Sequence, residues 1–449
     1  MTKYLKYDHY QGTSHSHIGV IPSHWALKRT KYLFDRQNRP PRECDETVTA
    51  FRDGQVTLRT NRRTDGFTQS LKEIGYQGVR CGDLVVHAMD GFAGAIGVSD
   101  SDGKCTPVYN ICQPVEGSTS SKYYGLYLRN LALNGYVESL AKGIRERSTE
   151  FRYAELKEVW LPEPPFEEQG TIVNFLDHET AKIDTLIDKQ QQLIKLLQEK
   201  RQAVISHAVT KGLNPDAVMK DSGVEWLGEV PEHWDRIALK RLTSIPIIDG
   251  PHETPVKHDD GIPFVSAEAV GNGSVNFDKK WGYISKEDHV LFSKRYSPQR
   301  GDILVIKLGA TTGVAAIVDT DEVFDIWVPL AAVRCNKKVL PHYVLHALRS
   351  TNVQDAIRLS WTYGTQQTLG LKTLGTIFIP TPPKEEQEAI VAYLEQLVPR
   401  FELLIRKAGN SIELLIERRT ALISAAVTGK IDVRNWQPAQ AEIPREASA

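Results

Sequence analysis

The chain has 449 residues, and because one hydrophobic core usually serves about 100 to 200 residues, this length predicts several folded domains. Hydrophobic residues make up 41% and charged residues 25% of the sequence, which excludes collagen-like, disulfide-rich and wholly disordered proteins. Lys and Arg number 55 against 56 Asp and Glu, so the net charge of -1 provides no general attraction for nucleic acid or an anionic membrane. Any DNA binding must therefore depend on local surfaces.

The compartment is predicted from signals that the sequence lacks. No run of about 18 apolar residues occurs, and the N-terminal residues contain no apolar stretch typical of a signal peptide. The cysteines are odd in number and show no C-x-x-C spacing, a pattern that favours free thiols in a reducing compartment. We therefore expect a cytoplasmic protein that makes no contact with a membrane.

Residues 1–165 predict an irregular α/β domain. The motif Pro-x-His-Trp stands near its start, at residues 22–25. An apolar strand entered by Gly-Asp and followed by a glycine-rich stretch predicts a β-hairpin from Gly82 to Asp100. A helix is expected from Tyr124 to Arg129.

The segment from Leu161 to Leu213 contains the motif Pro-Pro-x-Glu-Glu-Gln and predicts a helical region. Its apolar residues recur at steps of three and four, so they form one stripe along a helix. The stripe consists of Ile172, Leu176, Ile183, Ile187, Ile194, Leu197, Val204 and Ala208.

Residues 214–383 predict a second α/β domain on the same plan. The motif Pro-x-His-Trp returns at residues 231–234. A second strand entered by Gly-Asp predicts a hairpin from Gly301 to Asp319. A helix is expected from Tyr343 to Arg349, opening at Pro341 because proline favours the first turn of a helix.

The segment from Ile379 to Ile431 repeats the first helical segment without a gap, so that Glu385 corresponds to Glu167. About 23 of roughly 53 paired positions are identical, far more than shared composition would give. Pro399 would break or kink a helix, so the pattern predicts a short helix to about Leu397 and a long one that starts near Pro399. Because the two segments are repeats of each other, the first segment is also expected to break near Asp177.

Each long helix would have about 30 residues and a length of about 45 Å, and it could not bury its apolar stripe alone. The partner of matching length and pattern is the helix of the other repeat. The sequence therefore predicts an α+β or α/β fold in which two α/β domains are separated by two long helices. These helices would form an antiparallel coiled coil within a pseudo-two-fold internal repeat. An alternative is that each helix packs on its own domain.

The predicted boundaries follow from this plan. The two α/β domains span residues 1–165 and 214–383. The helical repeats span residues 166–213 and 384–431. Residues 432–449 are expected to form a flexible tail.

One enzymatic hypothesis comes from two fragments that resemble adenine-methyltransferase motifs. They are Asp-Gly-Phe-Ala-Gly-Ala-Ile-Gly at Asp90 to Gly97 and Glu-Pro-Pro-Phe at Glu163 to Phe166. A residue before Pro-Pro would hold the adenine amino group, but Glu163 is one methylene longer than the usual Asp or Asn. The repeat carries Thr381 to Lys384 instead, and the sequence after Gly97 predicts a hairpin turn, whereas a nucleotide-binding turn leads into a helix. The hairpin interpretation is therefore favoured.

Histidines suggest a metal site only weakly. His15 and His17 are close in sequence, and His24 and His233 precede Trp in both repeats, but no third ligand stands at a recognisable spacing. We interpret the His-Trp pairs as packing residues and expect no metal.

Polar and basic loops are the candidate DNA-contacting segments. Arg reads guanine, Gln reads adenine, and Lys neutralises phosphate, which is the role expected for Lys307. These loops differ between the repeats, as two different base strings would require, although each loop alone could simply be solvated. The candidates are Arg59, Arg62, Arg63, Arg145 and Arg147 in the first domain, and Lys307, Thr311, Thr312, Gln366 and Gln367 in the second.

The ordered set of motifs, present twice, resembles the specificity subunit of type I restriction-modification systems. It comprises Gly-x-[Ile/Val]-Pro-x-His-Trp, the Gly-Asp strand, Pro-Pro-x-Glu-Glu-Gln, a long helix and a terminal Ala-Val-Thr, and it covers about residues 16–431. The resemblance implies two target-recognition domains, no catalysis and no cofactor of its own. S-adenosylmethionine, ATP and Mg would be used by partner subunits. The implied partners are double-stranded DNA, two modification (methyltransferase) subunits and restriction subunits.

The resemblance and the helix lengths together predict a mechanism. The long helices would place two readers roughly one DNA turn apart, so that each domain reads half of an asymmetric, bipartite site. Partner methyltransferase and endonuclease subunits would be directed to that site. Two alternatives stay open: a free-standing duplicated DNA-binding protein, and a degenerate adenine-specific DNA methyltransferase.

Overall fold

A computed structural model describes residues 4–62, 73–115, 117–140, 150–271, 273–363 and 367–438. Their contacts divide the chain into two compact units. The first unit combines the residues up to Lys189 with those from Ser411 onward, and the second runs from Gln190 to Asn410. Both long helices cross this boundary, so each unit contains part of both.

The first unit holds the α/β domain predicted for the N-terminal third of the chain. Its strands are β1 (Tyr10–Gly12), β2 (Val20–Pro22), β3 (Ala26–Arg29), β4 (Phe34–Gln37), β5 (Val48–Ala50), β6 (Val56–Leu58), β7 (Gln77–Val79), β8 (Leu84–His87), β9 (Ile96–Val98), β10 (Gly103–Cys105), β11 (Tyr109–Pro114) and β12 (Trp160–Glu163). Its short helices are α1 (Ser121–Leu133), α2 (Tyr136–Leu140) and α3 (Tyr153–Leu156). The first long helix is α4 (Phe166–Lys211).

The second unit holds the second α/β domain. Its strands are β13 (Met219–Asp221), β14 (Glu229–Pro231), β15 (Asp235–Ala238), β16 (Ile248–Asp249), β17 (Ile262–Val265), β18 (Val270–Gly271), β19 (Gly273–Val275), β20 (Gly282–Ile284), β21 (Ile303–Ile306), β22 (Ala315–Ile317), β23 (Asp325–Ile326), β24 (Leu330–Val333), β25 (Thr362–Tyr363), β26 (Gln367–Thr368) and β27 (Phe378–Thr381). Its short helices are α5 (Lys286–Ser293), α6 (Pro341–Arg349), α7 (Thr351–Leu359) and α8 (Leu371–Thr376). The second long helix is α9 (Lys384–Val427).

The central sheets of the two units confirm the predicted hairpins. In the first unit β8 pairs with β9 in an antiparallel sheet of order β4-β11-β8-β9. In the second, β21 pairs with β22 inside a sheet of order β16-β24-β21-β22-β19-β18. Strands β8 and β21 consist largely of Leu, Val and Ile, and their apolar residues are buried because both faces of these sheets are covered. The predicted helices are confirmed as α1 and as α6, which begins at Pro341.

The motif Pro-Pro-x-Glu-Glu-Gln attaches the start of α4 to the first domain. The buried carboxylate of Glu168 accepts hydrogen bonds from the Trp25 indole (3.0 Å) and the Tyr7 hydroxyl (2.6 Å). His24 Nε2 lies 2.8 Å from the same carboxylate. The buried amide of Gln169 donates to the carbonyl oxygens of residues 118 and 164 and accepts from the Ser120 N–H. Both buried polar side chains at this helix end therefore have partners.

The same network anchors α9 in the second unit. Glu386 accepts a hydrogen bond from the Trp234 indole at 2.9 Å, and His233 Nε2 lies 2.6 Å from its other oxygen. Gln387 is buried and bonds to the backbone of Lys338, Leu340 and Pro382. These contacts support the interpretation of the His-Trp pairs as packing residues.

The prediction that both helical segments break is wrong, because α4 and α9 are continuous helices of 46 and 44 residues. Pro399 lies inside α9. It is on the exposed face, where the carbonyl that loses its helical hydrogen bond can bond to water. Leu394, Val398 and Phe401 on the opposite face are buried and keep the two turns aligned. At 1.5 Å per residue each helix is about 65 to 70 Å long, compared with the predicted 45 Å.

The two long helices pair antiparallel through their apolar stripes. In the first unit Ile183 packs in one core with Leu422 and Ala426. An ion pair joins Asp184 to Arg419 at 3.1 Å there, and another joins Arg201 to Glu402 at 3.6 Å in the second unit. From the first ion pair to the second, the residue numbers rise along α4 and fall along α9, as antiparallel helices require. Within the described part of the chain, no helix is long and apolar enough to cross a membrane.

The prediction of a flexible tail from residue 432 is wrong for residues 432–438. Val433 is 2% exposed, and the Trp436 ring lies edge-on to Phe175 at 5.6 Å between centroids. The Asp432 N–H also donates to the carbonyl oxygen of Leu5 at 2.8 Å. This segment therefore packs on the N-terminal residues of the chain, a contact that pattern-based reasoning did not include.

Replacing Pro399 with Ala should stabilise the second unit. Ala restores a backbone donor on the exposed face of α9 and removes the clash of the proline ring. We expect the free energy of unfolding to rise by about 1 to 3 kcal/mol. Urea unfolding followed by circular dichroism would measure it, with exposed Gln396→Ala as the control that should change little. A lower unfolding midpoint for Pro399→Ala would show that the proline is required by the packing of the helix.

Candidate nucleic-acid interface

In the first unit the tip of the β8–β9 hairpin meets the turn between β5 and β6. Arg52 of this turn forms an ion pair with Asp90 of the tip at 2.9 Å. Gly94 at the tip has φ of +92°, and a Cβ there would lie 2.9 Å from the carbonyl oxygen of Arg52. Only glycine allows this close approach without strain. The hairpin tip and the turn therefore form one surface.

Two predicted DNA-contacting arginines lie beside this surface. Exposed Arg62 forms an ion pair with Asp53 at 2.6 Å and stacks over the Phe51 ring at 4.3 Å. Arg59 is half-buried, and its Nε donates to the Thr49 hydroxyl at 3.3 Å. Three other predicted residues, Arg63, Arg145 and Arg147, lie outside the described residues.

A half-buried histidine fixes the hairpin tip. His87 Nδ1 accepts hydrogen bonds from the backbone N–H groups of Met89 (3.2 Å) and Asp90 (2.9 Å). This arrangement requires an unprotonated Nδ1. Burial lowers the pKa of His87 and so favours the neutral imidazole. The tip should therefore keep its shape at neutral pH.

In the second unit the tip of the β21–β22 hairpin meets strand β26. The Gly309 N–H donates to the carbonyl oxygen of Gln367 at 3.1 Å, and the Leu369 N–H donates to that of Lys307 at 2.8 Å. Thr312 Oγ1 donates to the carbonyl oxygen of Gly309 at 2.7 Å. The structure thus brings together two loops that are far apart in sequence.

The predicted residues of this domain differ in exposure. Thr311 is exposed at the hairpin tip, whereas Thr312 is buried beneath it. Gln367 is half-buried, and its Oε1 has no hydrogen-bond partner among the described residues. Gln366 lies outside the described residues. Contact of any of these side chains with DNA stays a prediction.

Lys307 does not fit the phosphate contact predicted for it. Its side chain is largely buried, and Nζ lies 3.1 Å from Oδ2 of Asp249, which is 3% exposed. Arg295 forms a second ion pair with this carboxylate. Burial by itself would raise the pKa of Asp249, but the hydrogen bonds and charges of Lys307 and Arg295 outweigh it and lower the pKa. Lys307 is therefore a structural ion-pair partner.

The methyltransferase and metal hypotheses find no support in the geometry. The glycine-rich stretch from Asp90 to Gly97 connects two antiparallel strands, so it is not the strand-to-helix turn that cradles a nucleotide. Glu163 lies in β12 and pairs with Lys28 at 2.7 Å. His17 stacks on Tyr136 with 3.9 Å between ring centroids. In the part of the chain that the structure describes, no cluster of three His, Cys, Asp or Glu side chains could hold a metal ion.

Sequence reasoning missed three arginines at these surfaces. Arg52 is one, and Arg129 and Arg349 are the others, placed by α1 and α6 next to the long helices. The internal repeat carried the signal for the last two. Arg129 aligns with Arg349 in almost the same register that relates the two long helices.

Comparison with known proteins agrees with this architecture. The profile described as the type I restriction modification DNA specificity domain matches residues 241–414. The specificity subunit of the type I restriction enzyme EcoBI from Escherichia coli is 28% identical over 289 residues. The chain is therefore similar to the specificity subunits of type I restriction-modification systems, and residues 241–414 match their DNA specificity domain.

The sequence similarity spans only part of each relative. The alignment with the Escherichia coli subunit covers 63% of this chain and 60% of that protein, less than two thirds of its length. The putative MjaX specificity subunit of Methanocaldococcus jannaschii is 27% identical over 320 residues, which are 70% of this chain and 68% of that one.

Two solved structures show the same fold. A structure from a study of complex assembly and conformational transition of the type I system has a TM-score of 0.67. It is 18% identical and the match covers 91% of this chain and 98% of that chain. The HsdS subunit of Thermoanaerobacter tengcongensis has a TM-score of 0.52 at 18% identity, with coverage of 92% and 98%. The fold expected for this family is therefore confirmed.

Lys307→Ala should weaken the folded state in a pH-dependent way. We expect the free energy of unfolding of the second unit to fall by about 1 to 3 kcal/mol at pH 7, because buried Asp249 loses a charged partner. A lowered pKa means that the ion pairs stabilise above the ordinary aspartate pKa of about 3.9 and lose this effect as the pH falls through the lowered value.

Urea unfolding at pH 7 and near pH 3 would test this expectation, with exposed Lys279→Ala as the control. The difference between wild type and Lys307→Ala should shrink at the lower pH. Equal destabilisation at both pH values would contradict the role of the ion pair.

Proposed function

We propose that this chain is a non-catalytic DNA sequence-specificity subunit that reads an asymmetric, bipartite site, one half with each α/β domain. It directs partner methyltransferase and endonuclease subunits to that site. The chain itself uses no cofactor, and S-adenosylmethionine, ATP and Mg belong to the partners. Similarity to type I specificity subunits supports DNA recognition as the general function.

The two domains share one scaffold but present different loops, and this is the main support for the proposal. Both domains anchor their helix through a Trp-carboxylate contact, at Glu168 and at Glu386, and both present a hairpin tip next to a second loop. The tips themselves read Met-Asp-Gly-Phe-Ala-Gly and Leu-Gly-Ala-Thr-Thr-Gly. Equivalent scaffolds with different polar side chains can read different bases at equivalent positions.

The absence of a catalytic role is supported by the position of the candidate motif. The glycines that would have to cradle S-adenosylmethionine turn a β-hairpin, and Glu163 is engaged by Lys28. Methyl transfer and cleavage are accordingly assigned to partner subunits, and the chain works in a cytoplasmic complex with them.

The long helices are proposed to fix the distance between the half-sites. Each helix runs without interruption from one unit into the other. A pair of antiparallel helices with interlocked side chains resists bending and stretching better than a loop. The base pairs between the half-sites would then form an unread spacer.

The helices also carry exposed leucines in repeated positions. Leu186 and Leu404 are equivalent when the two helical repeats are aligned, as are Leu196 and Leu414, and all four are at least 45% exposed. Large exposed apolar side chains on a soluble protein favour an interaction surface. Because they occur twice, they would offer two equivalent docking surfaces to two identical modification subunits. Restriction subunits would join this assembly.

Loop substitutions should relax one half-site only. In the assembled complex, replacing Gln366 and Gln367 with Ala should reduce recognition by about 1 to 3 kcal/mol for each lost bidentate contact. The matched variant is Arg62→Ala in the first domain, which should relax the other half-site. Methylation-site sequencing gives the target, and binding to duplexes with one altered half-site measures the effect. If both halves relax together in either variant, or if neither relaxes, the loop assignment is wrong.

Lengthening the helix pair should change the spacer. Four residues, about one turn and 6 Å, inserted in α4 between Lys189 and Leu193 should alter the number of unread base pairs and leave both half-sites intact. The best position is after Gln192, with four matching residues after Asn410, because antiparallel pairing places these points opposite each other. Sequencing of methylated sites would show the new spacer. Altered bases with an unchanged spacer would contradict the proposal.

A further inference from the structure

Each unit contains a second arginine beside the ion pair that joins the long helices. In the first unit it is Arg129 of α1, and in the second it is Arg349 of α6. The two occupy equivalent places in the internal repeat, and so do Tyr123 and Tyr343, whose hydroxyls donate to the ends of the long helices. We name the arginines and the ion pair beside them the arginine clusters.

The first cluster lies between the helices and the candidate DNA surface. Arg129 Nη2 donates to the carbonyl oxygen of Arg52 at 3.2 Å. The same side chain packs over Gly54, which has φ of +92° and where a Cβ would lie 2.6 Å from the Arg129 Cδ. Burial lowers the pKa of Arg129, and the charge of Arg419, which pairs with Asp184, lowers it further.

The second cluster has the same construction. Arg349 packs over Gly273, which has φ of +85° and where a Cβ would lie 2.5 Å from the Arg349 Nη1. Gly273 is the equivalent of Gly54 in the internal repeat. Arg201 pairs with Glu402, and burial together with the Arg201 charge lowers the pKa of Arg349.

Neither cluster is neutral. Among its own members each cluster holds two guanidinium groups against one carboxylate; in the first cluster the charge of Asp53, which pairs with Arg62, also acts on Arg129. Two guanidinium groups present ten N–H donors, whereas a carboxylate offers about four acceptor positions. The Nε atoms of Arg129, Arg201 and Arg419 are buried and have no hydrogen-bond partner among the described residues, although Arg419 Nε lies 3.1 Å from Asp184 Oδ1. Arg419 and Arg201 keep 36% and 23% of their side-chain surface exposed, so an anion can reach them.

The repetition of the clusters indicates the kind of anion. Residues that read bases should differ between the domains, as the hairpin tips do. A group that is kept in both domains must bind something that both half-sites share. The backbone phosphate is present at every position of DNA, and arginine binds it with paired, charge-assisted hydrogen bonds.

We propose that Arg129 with Arg419, and Arg349 with Arg201, bind backbone phosphates of DNA, one at each half-site. The clusters position the DNA against the hairpin tips and carry no base specificity. Asp184 and Glu402 orient Arg419 and Arg201 and partly offset their charge. This inference rests on the proposed function and adds a phosphate-binding site to each half of the chain.

The salt dependence of DNA binding tests the inference. The full chain with its co-purified modification subunits is titrated with the cognate duplex and an unrelated duplex at several salt concentrations. Replacing both Arg129 and Arg349 with Gln should reduce the slope of log K against log salt by about 1.8, the loss expected for two phosphate contacts. The ratio of cognate to unrelated affinity should stay unchanged. Arg358→Gln, an exposed arginine paired with Asp355, is the matched control and should leave the slope unchanged.

A second pair of variants changes the charge in the opposite sense. Asp184→Asn with Glu402→Gln removes the carboxylates, so both duplexes should bind more tightly at low salt. These carboxylate variants test the proposal even if the arginine variants fold poorly. If the ion pairs were purely structural, removing the carboxylates would not tighten DNA binding.

Some outcomes would overturn this inference, and another would overturn the proposed function. An unchanged slope in an intact complex would overturn the inference, as would a loss of affinity for the cognate duplex alone. Dissociation of the modification subunits with normal DNA binding would assign the clusters to a protein carboxylate and overturn it too. If the wild-type complex does not discriminate between the two duplexes, the proposed function itself fails.

Discussion

A helix of more than forty residues with a single apolar stripe cannot remain folded in water without a partner, and this constraint organises the whole chain. The stripes of α4 and α9 satisfy it by packing against each other in antiparallel orientation. Asp184 with Arg419 and Glu402 with Arg201 then take equivalent places in the two units. Because the pairing is antiparallel, the start of one long helix lies in the same unit as the end of the other.

Each α/β domain is fastened to both of these helix ends. In the first unit Glu168 and Gln169 hold the start of α4, while the Tyr123 hydroxyl donates to the Val427 carbonyl at the end of α9. In the second unit Glu386, Gln387 and Tyr343 make the corresponding contacts. Buried polar groups of this kind are costly unless they are paired, so the network specifies one way for each domain to sit on its helices.

This rigid scaffold leaves the hairpin tips and neighbouring loops free to differ. Gly94 in the first unit allows the hairpin tip to approach the Arg52 carbonyl, and Gly54 leaves room for the Arg129 side chain, so the tip, the turn and Arg129 lie in one surface. Arg52 and Arg62 lie on that surface, whereas the chemically similar Lys307 of the second unit is buried against Asp249. Residue type alone therefore does not identify a DNA-contacting side chain, because burial decides which cations are available.

The sequence by itself determined the duplicated plan, the apolar stripes, both central hairpins, the helix that opens at Pro341 and the resemblance to type I specificity subunits, because periodicity and ordered motifs are local or repeated signals. Only the tertiary structure decided that α9 continues through Pro399, since burial of Val398 and Phe401 on the opposite face outweighs the local preference of proline. It also decided that Val433 and Trp436 pack on the first unit, that Lys307 is neutralised, and that Arg129 and Arg349 stand beside the helix ion pairs. These outcomes depend on contacts between residues far apart in sequence, whose partners no local pattern can supply.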